Sequence, residues 1–186
     1  MTVILYFSRS YENLIVGKKE YLRVGNTKIV AQKIAKILDA EALEIIPLTA
    51  YPKVYEEVVT QAEQEKITNE RPKYQPLSLN LVKHQTIYLG YPNWWGTFPM
   101  VVATFLEEND VSGKNIYPFC THEGSGMGNS ISDLQKLCPN ATIHVGLPIR
   151  GSRVEKADIA IKNWLQHNQS KDKSIGGIKK WQNLKK

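Results

Sequence analysis

Tyr88-Leu89-Gly90-Tyr91-Pro92-Asn93-Trp94-Trp95-Gly96-Thr97-Phe98-Pro99 reads as the end of a buried strand, a break, and the approach to a helix. The apolar run from Ile87 to Gly90 stops at Pro92. Helical periodicity resumes at Met100. Between them two adjacent tryptophans stand among turn residues rather than on one periodic face, so they do not read as two ordinary core residues. A flat aromatic platform at the mouth of a strand suits a flat ring as ligand.

Outward from this stretch the pattern repeats. Val3 to Phe7 is a continuous apolar strand of the kind buried on both faces of a parallel sheet. Residues 9–24 are polar and without a period, and read as a long loop; loops of that length are uncommon unless functional. Gly25-Asn26-Thr27 opens a helix whose face is Ile29, Val30, Ala31, Ile34, Ile37 and Leu38. Ala42 to Pro47 reads as a second strand, and Val54, Val58 and Ala62 mark a helix to about Glu65. Residues 68–80 are a loop, and Thr86 to Tyr91 is the third strand. A helix from Met100, a strand Asn115 to Cys120, a helix Ser130 to Cys138 and a strand Thr142 to Val145 follow. Val154, Ala157, Ile161, Trp164 and Leu165 form the last helical face. Strand and helix alternate five times, which predicts a doubly wound α/β sheet with right-handed crossovers. Ligands of such sheets bind beyond the carboxyl ends of the strands.

The 186 residues are 42% hydrophobic and 23% charged, as in an ordinary globular domain with a sizeable core. No apolar run approaches the ~20 residues that span a membrane. The N-terminus starts a strand at once, without a charged region and cleavage site, so no secretory signal is expected. Cys120 and Cys138 form no CxxC, so neither a disulfide framework nor a metal site is expected and a cytoplasmic location is the default. The last sixteen residues, 171–186, hold six Lys and one Asp; +5 of the formal +6 sits there, leaving +1 for the rest. The expected organisation is one domain over 1–168 and a basic, flexible tail over 169–186. No groove-reading motif accompanies the tail, so nucleic acid is not an expected partner.

Three loops at strand ends carry the chemistry. The first brings Ser8 and, past the insertion, the helix start at Gly25-Asn26-Thr27, whose free N–H groups make an anion site. The Gly-Asn-Thr turn holds no lysine and there is no GxxxxGK[ST], which disfavours a nucleoside triphosphate and suits a phosphate monoester. The second is the stretch quoted above. The third is Thr121-His122-Glu123-Gly124-Ser125-Gly126-Met127-Gly128-Asn129, whose glycines let backbone approach a ligand closely. Signalling receiver domains share this architecture but need an aspartate at the end of the first strand, where this chain has Ser8.

Tyr6-Phe7-Ser8, Gly25-Asn26-Thr27, Gly90-Tyr91-Pro92-Asn93-Trp94-Trp95-Gly96 and Pro118-Phe119-Cys120-Thr121-His122-Glu123-Gly124-Ser125-Gly126 together resemble the flavodoxin-like family. They are most similar to its bacterial subgroup with Trp-Trp in the second loop and Thr-His-Glu-Gly-Ser-Gly in the third. The resemblance implies a three-layer, doubly wound sheet of five parallel strands, order 2-1-3-4-5, binding FMN non-covalently. It implies that Ser8, Asn26 and Thr27 hold the phosphate. Pro92, Asn93, Trp94, Trp95 and Gly96 would line the ring, and Thr121, His122, Glu123, Gly124, Ser125, Gly126 and Gly128 would wrap its other side. The expected function is electron transfer through FMN to redox partner proteins or small acceptors; the alternative is an FMN-dependent NAD(P)H oxidoreductase acting on quinones. No catalytic residue is assigned. The insertion at 9–24 departs from the family's compact phosphate loop, which leaves Arg9 and Ser10 open as ligands. Cys120, beside the expected flavin, reads as a buried structural thiol rather than a redox group.

Overall fold

The structure is a computed structural model that describes residues 1–168; the expected basic tail, 169–186, lies outside the described residues. Strand β1 (Thr2–Tyr6) is followed by β2 (Tyr11–Ile15) and β3 (Lys18–Leu22), then α1 (Asn26–Leu38), β4 (Glu41–Glu44), α2 (Tyr55–Thr68), β5 (Thr86–Pro92) and α3 (Met100–Glu108). β6 (Asn115–His122), α4 (Ser130–Leu137), β7 (Thr142–Ile143) and β8 (Leu147–Arg150) come next, then a short 3-10 helix, Gly151–Lys156, and a helix α5 over 158–168.

The main sheet is parallel with order β4-β1-β5-β6-β7, and β8 also pairs with β6. This is the expected winding, with the fifth position filled by two short strands instead of one over 142–145. The ladder breaks because the intervening backbone is committed elsewhere. The carbonyl of Val145 accepts the Trp164 indole at 2.8 Å, and Gly146 sits so tightly against Met127 that a Cβ would lie 2.4 Å from its Cε.

Alternation along the buried strands builds the two outer layers. Val3, Leu5 and Phe7 point into one core, under α2, α3 and α4. Ile4 and Tyr6 point into the other, with Val30 and Ile34 of α1 and Ile161 and Trp164 of α5. β1, β5 and β6 send buried side chains into both cores, so each of these strands is pinned in register from two sides.

The structure corrects the reading of 9–24 as a loop. β2 and β3 form an antiparallel hairpin in a second sheet, with Ile15 opposite Lys18. Its turn is Val16-Gly17, with φ of 50° and 75°, the two positive values of the tight turn that matches strand twist. Glycine adopts this freely; a β-branched valine does so rarely, which is why the pair carried no hairpin signal.

Candidate functional site

The carboxyl ends of β1, β5 and β6 lie side by side, and their loops meet. At the first, Gly25 has no side chain to cap α1, and Ser8 takes that place: its Oγ accepts the Lys28 N–H at 3.0 Å. The remaining N–H groups of the first turn have no partner inside the helix, and no acidic residue stands among them. A Cβ on Gly25 would lie 2.3 Å from Ser8 Oγ and 2.4 Å from the Arg9 carbonyl oxygen. The hairpin therefore leaves and rejoins the chain at one point, and Ser8 stands beside Gly25-Asn26-Thr27 in space despite the insertion. Thr27 Oγ1 and Thr121 Oγ1 are 2.7 Å apart and buried, joining the first loop to the third. Two hydroxyls carry two protons and only one can lie between them, so the pair keeps one donor for another acceptor.

Arg9, open as a ligand from sequence, lines the cavity described below but turns its guanidinium to backbone. Its guanidinium donates to the carbonyls of Pro52, Lys53 and Glu12, and the residue is 8% exposed. Burial pulls its pKa down and Glu12 pushes it back.

In the second loop the Asn93 side chain accepts the Gly96 N–H and donates to the Gly126 carbonyl, each at 2.9 Å, so it holds the turn shut and ties it to the third loop. Trp94 and Thr97 exchange backbone hydrogen bonds around Trp95 and Gly96, both at positive φ (51° and 83°). The two tryptophans then separate. Trp94 packs edge-on against Phe7 and Tyr51, with centroids 5.3 and 4.9 Å away. Trp95 is 45% exposed and its indole donates to the Val59 carbonyl of α2 at 2.9 Å.

In the third loop, Gly126 and Gly128 have φ of 59° and 54°, and a Cβ on Gly128 would lie 2.3 Å from the Gly96 carbonyl oxygen. Only glycine lets the third loop rest on the second this closely. His122 buries its Nδ1 without a partner; burial first, then the charge of Arg150, lowers its pKa, against a smaller opposing effect of Glu123. The Glu123 carboxylate accepts the Ser152 N–H on one oxygen (2.8 Å) and the Val16 N–H at the hairpin tip on the other (3.3 Å). Beneath the loop, Cys120 donates to the Gly126 carbonyl, and burial pushes its thiol up to about 12, the behaviour of a structural cysteine.

These loops enclose a cavity of about 540 Å³. Asn26 and Thr27, Pro92 to Gly96, and Thr121 to Ser125 line it. Ser8, Gly126 and Gly128 are not among the lining residues: Ser8 fixes the start of α1, and the two glycines hold the third loop on the second. Sequence reasoning missed the opposite side: Asn13 and Leu14 of the hairpin, Tyr55, Val58, Val59 and Ala62 of α2, and Gly151. Val58 and Ala62 had the spacing of a core-facing helix stripe, and cavity-lining aliphatics look the same in sequence as packed ones. The residues present fit a ligand with an anionic end and a flat apolar end. Uncapped N–H groups and a spare hydroxyl proton stand at one end, and indole and aliphatic surface at the other. Among the described residues no cluster of His, Cys, Asp and Glu is placed to hold a metal ion, and no helix is long and apolar enough to cross a membrane.

Comparison with known proteins agrees with the fold. A model of the flavodoxin family matches residues 19–168. A Bacteroides eggerthii chain assigned as a flavoprotein superposes with a TM-score of 0.72 at 24% identity, over 89% of this chain and 95% of that one. Its Bacteroides uniformis counterpart gives 0.68 at 27% identity, over 87% and 97%. The flavoprotein of Lactobacillus acidophilus, solved in complex with FMN, gives 0.60 at 22% identity, over 83% and 96%. No curated protein sequence matches the chain.

Proposed function

The chain belongs to the flavodoxin family, and from that premise we propose that it binds FMN non-covalently and moves electrons through it. The observation that carries this reading is the meeting of three strand-end loops on one cavity with a phosphate-type end and an aromatic end. Bound there, FMN supplies reversible uptake and release of electrons. Asn26, Thr27 and the first N–H groups of α1 hold its phosphate, with Ser8 fixing the helix start. Pro92, Asn93, Trp94, Trp95 and Gly96 lie along one side of the ring, and Thr121, His122, Glu123, Gly124 and Ser125, shaped by Gly126 and Gly128, along the other. The phosphate is held by neutral donors, since the Arg9 guanidinium is spent on carbonyls and Lys28 pairs with Glu44 at 2.8 Å. His122 stays neutral, because a proton on its enclosed Nδ1 would find no acceptor.

The main reading is an electron-transfer protein located in the cytoplasm, serving redox proteins or small acceptors. The second, an NAD(P)H-dependent oxidoreductase acting on quinones, is favoured by the aliphatic wall of α2, which suits an apolar substrate beside the flavin. Titrating the protein with FMN tests the cofactor: flavin fluorescence quenches and the melting temperature rises. Absence of both would sink the reading. Anaerobic mixing of the FMN-loaded protein with NADPH then separates the two roles. Bleaching of the flavin by NADPH alone supports the oxidoreductase, and no bleaching supports the carrier.

A further inference from the structure

The hairpin β2–β3 is the part of the site for which no family motif accounts. One side of it is tied to the segment that leads into α2. The Arg9 guanidinium donates to Pro52 and Lys53, the Glu12 N–H donates to the Lys53 carbonyl at 3.2 Å, and the Glu12 carboxylate accepts the Tyr55 N–H at 3.1 Å. Lys19 adds an ion pair with Glu56. The tip is tied to the opposite wall through the Val16 N–H and Glu123, whose other oxygen is fixed on Ser152. Between these anchors Asn13 and Leu14 are part of the cavity lining. The hairpin is thus a roof carried by both walls.

We infer that this roof limits electron exchange to small, flat, weakly polar molecules and keeps redox proteins from docking over the cofactor. The inference rests on the FMN reading above. A protein approaching from this side meets the outer face of the hairpin, and packed sheet layers sit about 10 Å apart, so its redox centre is held a further layer from the flavin. The outer strand carries Lys18, Lys19 and Glu20, so charges of both signs stand on that face. A small acceptor meets the reverse. Trp95 both lines the cavity and is 45% exposed, so the cavity reaches solvent beside it. Leu14, Val58, Val59 and Ala62 then offer an aliphatic wall. For a quinone, two electrons and two protons released by reduced FMN convert its two carbonyls to hydroxyls, and oxidised FMN remains.

The test uses the full chain loaded with FMN and reduced anaerobically with dithionite. It is mixed in stopped flow with 1,4-benzoquinone, with cytochrome c, and with succinylated cytochrome c, so that the partner's charge does not decide the outcome. Each rate is divided by that of free reduced FMN with the same acceptor. The protein is expected to slow both cytochromes at least about tenfold more than it slows benzoquinone, as a blocked docking face requires. A smaller difference overturns the inference. A variant replaces 11–22 by two glycines, a junction that the close approach of Arg9 and Gly25 permits. The ratio of its cytochrome rates to its benzoquinone rate is expected to rise about tenfold; an unchanged ratio in a variant that still binds FMN also overturns it. Failure of the intact chain to bind FMN removes the cofactor reading and this inference together, whereas binding with equal slowing removes this inference alone.

Discussion

Truncation of Trp94 to Ala removes an indole held edge-on between Phe7 and Tyr51 and is expected to destabilise the apoprotein by about 2–4 kcal/mol in urea unfolding. Trp95→Ala takes away half-exposed surface and one hydrogen bond to Val59. Its expected cost to folding is below about 1 kcal/mol, with the larger loss in FMN affinity. The reverse pattern would exchange their roles. Beside this pair, Glu65 is 2% exposed and accepts from Tyr51 and Gln61, both at 2.8 Å. Burial raises its carboxyl above the ordinary 4.5, with Glu70 adding to the rise and the two hydrogen bonds opposing it. The folded state thus favours the protonated acid. That contribution to stability is fully present below 4.5 and is lost as pH rises through the raised value. The difference in unfolding free energy between the wild type and Glu65→Gln should fall across that window; a flat difference would contradict the sign. At this scale the sequence exposes residues whose type is costly anywhere but at a site, such as paired loop tryptophans and clustered loop glycines. It hides Leu14, Val58 and Val59, because a methyl group facing a ligand and one facing a core have the same chemistry.

The hairpin is the element on which sequence and structure part. Parallel strands such as β1 and β5 are legible because burial on both faces demands unbroken apolar runs. β2 and β3 bury little: Lys18 to Tyr21 are all exposed, so no period is imposed, and the turn at Val16 lacks the usual Asn-Gly signal. What holds the hairpin is long-range. Glu123 lies 107 residues from Val16 and the Pro52 carbonyl lies 43 from Arg9, and such contacts leave no local trace. Glu123→Ala is accordingly expected to speed amide exchange at Val16 by about tenfold, the loss of one charge-assisted hydrogen bond, and to quicken FMN release. Unchanged exchange at Val16 would mean that the tip is held by something else. The division of the fifth strand into β7 and β8 has a similar origin, since the Trp164 indole that takes the Val145 carbonyl comes from another layer.

For the molecule as a whole, ligand binding and folding are linked. FMN at about a hundred times its dissociation constant should add about 2.7 kcal/mol to stability. At about 2–4 °C per kcal/mol for a chain of this size, the melting temperature should rise by about 5–10 °C. Riboflavin, which lacks the phosphate, should give a distinctly smaller shift at equal concentration, because the N–H groups at the start of α1 then have no anion to meet. Equal shifts would move the phosphate away from α1. The winding of the sheet, its two cores and the convergence of the three loops follow from alternation that any reader of the chain can count, whereas the size and chemistry of the opening do not. The contact between Arg9 and Gly25 bears on heredity as well as on shape. A segment whose two ends coincide can be gained or lost in one in-frame event without displacing a strand. Lineages that carry the hairpin and lineages that lack it can therefore share one scaffold and diverge in a single step in what they admit to it.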